Sequence, residues 1–170
     1  DLRGLRLATG VETSSELWLL PVTQLAEEGL DVRTDCSLIE LDSTQYSDLQ
    51  RWVDDRTIFE AVVNQSADAG IIFEPWLQPL TRRHGLEEGE IRIIWRTRSY
   101  AHCAFTSSPT LTERRSDQFV DLLLSMSSDD PHIAEMMKME HLTKWVRATD
   151  DGWSDLRKAI VEADLVGKIY

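Results

Sequence analysis

The chain has 170 residues, 42% of them apolar, and a formal net charge of −12. That length and apolar fraction exclude an intrinsically disordered chain and suit one domain or two small lobes. The acidic balance excludes nucleic acid and anionic membrane surfaces as partners, because both require stripes of Lys and Arg, but it leaves open a small anion held by a local cluster of donors.

The first half alternates strand and helix. Residues 5–9, Leu-Arg-Leu-Ala-Thr, predict a buried strand. Residues 14–29 predict a helix that stops at Gly29, with Pro21 kinking it or splitting off its first turn. Residues 37–41 predict a second, shorter strand, and the polar stretch 42–48 a turn. Residues 49–65 predict a helix carrying Trp52, Phe59, Val62 and Val63 on one side. Residues 69–73 are apolar throughout, as in a parallel strand covered on both faces. A helix follows from Pro75 to near Gly85, and residues 91–95 predict a fourth strand. This order implies α/β architecture with a parallel sheet, joined by right-handed crossovers and flanked by helices.

The second half changes character. Residues 101–107 suggest a short strand, Pro109 a turn, and residues 112–126 a helix with Phe119, Leu122, Leu123 and Met126 as its buried stripe. A short helix over 132–139 and a last helix over 153–163 complete the chain. The domain expectation is therefore an α/β lobe over 1–97 with an anion-binding turn, and a hinge with a partial, mostly helical second lobe over 98–170.

Parallel sheets bind ligands at the carboxyl ends of their strands. Residues 9–15, Glu74 and residues 96–100 all fall there. Thr13, Ser14 and Ser15 stand at a helix mouth, where unbonded N–H groups and hydroxyls make an anion cradle. Ser and Thr also cap helices as a matter of course; the edge position favours ligand contact over capping. Glu74 reads equally as a ligand contact and as a first-turn acid of the helix that follows it. Tyr100, His102 and Cys103 lie in the expected hinge. Adjacent His102 and Cys103 would point to opposite faces of a strand, which argues against a thiolate–imidazole pair. Two cysteines, Cys36 and Cys103, with no CxxC spacing make neither a disulfide framework nor a zinc site. His132 and His141 flank Met136, Met137 and Met139, where core packing outweighs a soft-metal site. Trp52, Trp95 and Trp153 read as core, whereas Trp18 and Trp76, just after strand ends, are the candidates for an aromatic cage.

In order along the chain, several segments resemble the substrate-binding proteins of phosphate, phosphite and phosphonate ABC transporters, which have the type 2 periplasmic binding protein fold. Asp1-Leu2-Arg3-Gly4-Leu5-Arg6-Leu7-Ala8 is similar to the family's opening "DLRGKRLA" strand. Thr13-Ser14-Ser15 with Pro21 sits where the family has its Ser-Thr-Ser anion-binding turn and a helix with a proline. Phe59-Glu60-Ala61-Val62-Val63-Asn64-Gln65-Ser66-Ala67-Asp68-Ala69-Gly70 looks like "EAVxNGEADAG". Residues 91–95 with Thr97, Ser99 and Tyr100 resemble the strand leading into the inter-lobe hinge.

The resemblance implies one lobe of that fold plus a helical C-terminal part, and a small anionic or zwitterionic ligand held by Thr13, Ser14, Ser15, Asp55, Glu74, Tyr100 and His102. The lobes would close about residues 97–105. No catalytic residue, metal or cofactor is implied. A periplasmic or extracellular location goes with the transporter reading. Two departures bear on the ligand. The family carries further residues before this point, so half of the usual cleft is expected outside this chain, making it a fragment, a subunit or a reduced descendant. An ABC permease or partner protein, or a second copy in a homo-oligomer, would then cover the exposed half. The family also often has a His before the "AVxNG" helix, where Asp55 stands here next to Asp54. A carboxylate repels a phosphate dianion, which points to a different anion or to a zwitterion whose amine meets Asp55. Two rival readings stay open: an enzyme on the same scaffold, decarboxylase-like, with Glu74, Asp55 and His102 as acid–base groups, and a protein-interaction or sensor domain.

Overall fold

The computed structural model describes residues 2–39, 41, 55–87, 89–101 and 104–166. By contacts the chain divides into two compact units, Asp1–Arg98 with Ser154–Tyr170 and Ser99–Trp153.

The first unit is built on a three-stranded parallel sheet in the order β2-β1-β3, with β1 over Arg6–Ala8, β2 over Ser37–Ile39 and β3 over Ala69–Gly70. Leu7 pairs with Leu38 on one side and Ala69 on the other. Leu7 and Ala8 are both buried although alternate strand residues face opposite ways, so β1 is covered on both faces. This is the α/β parallel architecture expected from the alternating pattern.

Helices fill the connections. After β1 the chain forms a π-helical segment, Ser15–Leu19, that runs into α1, Leu20–Glu27. Pro21 sits at the first turn of α1, where its missing N–H costs nothing, so the expected split falls there. Gly29 ends this helix with φ +85°. A one-turn helix α2, Val32–Asp35, follows; Asp31 caps it by accepting the Arg33 N–H at 3.0 Å. Between β2 and β3 lies α3, Asp55–Val63, whose Ile58 and Ala61 pack with Ala8, Leu17 and Ala67. Gly70 permits that packing, since a Cβ there would stand 2.6 Å from Ile58 Cγ2. After β3 come a 3₁₀ turn, Glu74–Trp76, and α4, Leu77–Arg83.

Helix α7, Ser154–Glu162, returns to the first unit, where Ala159, Leu156 and Ile160 pack on Trp18, Leu19 and Val22. Chain order alone grouped these residues with 98–170. Beside this packing, buried Gln24 donates to Asp155 at 3.1 Å and accepts the Arg98 N–H at 2.8 Å. The Arg98 guanidinium holds Asp155 and Glu27, and Lys158 completes the group on Glu27. Lys158 and then Arg98 hold the Glu27 carboxyl below its ordinary range.

Three expectations need correction. Residues 91–95 add no fourth strand to the sheet; Ile93 and Ile94 are exposed, and the half-buried Trp95 donates its indole N–H to Glu28 rather than entering the core. Ile91 alone forms a bridge, and the run after it does not extend into a strand. The described residues of 101–107 carry no strand either. In the second unit α5, Glu113–Ser125, has no buried residue, and Phe119 and Leu122 of its supposed core stripe are exposed. That unit also holds α6, Ala134–Met139, whose Met137 is fully buried. Trp52 and the residues before Asp55 in the expected helix lie outside the described residues.

Candidate functional site

β1 and β3 run parallel as neighbours, so the loops after Ala8 and Gly70 leave from the same sheet edge. Because β2 and β3 flank β1 on opposite sides, the strand order reverses at β1. That reversal is a topological switch point, the place where α/β sheets open a crevice.

The loop after β1 is shaped by Gly10. Its N–H donates to Leu17 O at 3.2 Å, and a Cβ there would lie 2.4 Å from Leu17 Cβ. Only glycine lets the π-helical segment fold back this closely on the strand end. Ser14 caps that segment: its Oγ accepts the Leu17 N–H at 3.1 Å and lies 3.5 Å from Glu16 Oε2. Its backbone carbonyl accepts the Leu19 N–H at 2.8 Å, the wide i+5 closure of a π turn, a form often found at functional sites. Ser14 is thus engaged in capping. The hydroxyls of exposed Thr13 and half-buried Ser15 have no partner among the described residues.

The same edge gathers acids. Asp55 opens α3, and its Oδ1 accepts the Phe73 N–H at 2.5 Å, tying the start of that helix to the chain leaving β3. Glu74 follows at the 3₁₀ turn and is gripped side-on by Arg96, with Nε–Oε2 at 2.9 Å and Nη2–Oε1 at 3.1 Å. Glu12, next to Thr13, takes Arg33 Nη1 at 2.5 Å. The Arg33 guanidinium lies over the Trp18 ring, 4.7 Å from its centroid. Trp18 is therefore no open cage: it is buried and its face is already covered by an internal cation. Trp76 is 43% exposed.

Thr13, Ser14, Ser15, Asp55 and Glu74 thus all belong to the first unit and to one sheet edge. Tyr100 belongs to the second unit. His102 and Cys103 lie outside the described residues. Cys36 is half-buried, its thiol donates to Leu2 O at 3.4 Å, and burial pushes its pKa up, so it is no activated nucleophile. Of the three methionines near His132 and His141, Met137 is core while Met136 and Met139 are exposed.

Sequence reasoning placed Arg96 at this edge without a partner for it, and it missed Arg33 altogether. Arg33 reaches a residue 21 positions earlier and Arg96 one 22 positions earlier, and no local pattern encodes either pairing. The Asp31 cap was a readable signal for α2, but not for where the Arg33 side chain goes.

Comparison with known families gives a match over residues 1–153 to the family described as ABC transporter, phosphonate, periplasmic substrate-binding protein. No curated protein matches the chain.

Proposed function

This chain belongs to the phosphonate family of ABC-transporter periplasmic substrate-binding proteins, and on that premise we propose that it binds a small phosphonate-like oxyanion at the carboxyl edge of its parallel sheet and does no chemistry on it. The observation that carries this reading is the pair of Thr13 and Ser15 hydroxyls, without protein partners among the described residues, at the switch point after β1. Neutral hydroxyl donors hold an oxyanion without needing a change of protonation.

Asp55 and Glu74 support binding over catalysis. One fastens a backbone amide and the other is gripped by an arginine, roles that hold geometry rather than move protons. The acids around the turn, Glu12, Glu16, Asp55 and Glu74, favour a ligand that also carries a cationic group, so a zwitterionic phosphonate fits this edge better than a bare dianion. An ABC permease is the partner that goes with this role, and a periplasmic or extracellular location goes with it too.

Isothermal titration of the chain with methylphosphonate, phosphite, phosphate and sulfate tests the reading. Binding of methylphosphonate is expected, and Thr13→Val combined with Ser15→Ala is expected to weaken it about tenfold, the loss of one or two hydrogen bonds. Absence of heat with all four anions overturns the proposal.

A further inference from the structure

An oxyanion held in a protein of net charge −12 needs a counter-charge close by, because unpaired charge is costly to desolvate. Among the described residues of the first unit, Arg3, Arg6, Arg33, Arg56, Arg96 and Arg98 differ in which edge of the guanidinium is filled. Arg6 grips Asp68 through Nε and Nη2, Arg96 grips Glu74 through the same two atoms, and Arg98 spends them on Asp155 and Glu27. Arg3 and Arg56 are held through Nη2 and Nε respectively. Arg33 is the exception. It meets Glu12 through Nη1, and its Nε and Nη2 donors make no hydrogen bond among the described residues. Those two donors form the side-on fork that takes both oxygens of a carboxylate or phosphonate.

The position of Arg33 is fixed from two sides of the hydroxyl turn. Glu12 precedes Thr13 in sequence, and Trp18 lies in the π-helical segment that starts at Ser15. The guanidinium is anchored to one and stacked on the other, while its side chain stays 50% exposed to a solute. A planar cation already stacked and bonded loses little further freedom when a ligand arrives.

We propose that Arg33 is the cation that receives the oxyanion beside Thr13 and Ser15, with Trp18 and Glu12 positioning its guanidinium. This rests on the reading of a phosphonate-like ligand at this edge. The hydroxyls supply direction and Arg33 supplies charge, so the site discriminates oxyanions from neutral solutes of the same shape. Glu12 has two opposing effects: it anchors Arg33, and its own charge repels the ligand. Glutamine at position 12 keeps an oxygen acceptor for Nη1 and removes the repulsion.

Titration with methylphosphonate at two salt concentrations, on the full chain and three variants, tests the assignment. Arg33→Gln is expected to weaken binding at least tenfold and to flatten the salt dependence. Arg33→Lys, which keeps a point charge but loses the fork, is expected to fall between that variant and the parent. Glu12→Gln is expected to tighten binding about threefold. A purely structural stack would instead lower the melting temperature of the Arg33 and Glu12 variants and leave affinity within twofold; that result overturns the assignment while the ligand reading stands. A parent chain that gives no heat overturns both. Should Arg33→Gln fail to fold, Glu12→Gln decides: tightening supports the assignment, and unchanged or weaker binding overturns it.

Discussion

The unit formed by Asp1–Arg98 with Ser154–Tyr170 and the unit formed by Ser99–Trp153 carry the same kind of sequence signal and use it differently. In the first, apolar residues at strand and helix spacing are buried, among them Leu7, Ala8, Leu17, Ile58 and Leu20. In the second, α5 has an equally regular stripe, yet Phe119 is 42% and Leu122 55% exposed, and order comes from local contacts such as the edge-on Phe105–Phe119 pair and the buried Met137. Periodicity specifies that a helix forms and which side is apolar. It does not specify a surface to cover that side. A central parallel strand has a neighbour on each edge and layers on both faces, so forming β1 already commits the chain to burial.

The sharpest way to break this contrast is a matched pair of truncations. Ile58→Ala should cost about 3 kcal/mol, the transfer and cavity cost of a buried aliphatic chain, whereas Leu122→Ser in α5 should stay within about 0.5 kcal/mol as an exposed substitution does. Denaturant unfolding of both variants measures this, and similar losses would erase the distinction between the units. Next in size is Gly10→Ala. Its new Cβ has to displace Leu17, which lies 2.4 Å from it, and overpacking of that order costs about 2 kcal/mol. A melting temperature unchanged from the parent would show that the strand end and the π-helical segment are not in close contact.

The smallest effect is electrostatic and also belongs to the first unit. The hydrogen bond from the Arg6 side chain, aided by the Arg6 N–H, lowers the Asp68 pKa to about 2 from its ordinary 3.8. A folded-state value below the unfolded one contributes stability above pH 4, which is lost as pH falls toward 2. Asp68→Asn should therefore melt lower than the parent at pH 7 and converge with it near pH 2. Parallel curves across that window would mean the pair contributes nothing; because both groups are partly exposed, the difference should be modest.

Much of the first unit was legible in the sequence. The strand at Leu7 and Ala8, the helix interrupted by Pro21, the stop at Gly29 and the parallel order all follow from local composition and period. So does the carboxyl edge, because parallel strands place their outgoing loops together whatever their side chains. The fourth strand was misread because residues 91–95 have the composition of a strand but pair only at a lone bridge at Ile91, and composition does not report how far pairing extends. Gln24 reads as a polar helix residue, yet it is buried because Asp155 and Arg98 satisfy its amide across 131 and 74 residues of sequence.

The amino-acid order by itself determined most element types of the first unit and the gathering of Thr13, Ser14 and Ser15 at one helix mouth, since each depends on residues within a turn or two of each other, and it carried the family match in segments spread along the chain. Tertiary structure alone decided that Trp18 is covered by Arg33 and that α7 closes onto α1. Those outcomes are set by which side chains meet across long stretches of chain, where packing and charge pairing act through space and the local sequence carries no record of the partner.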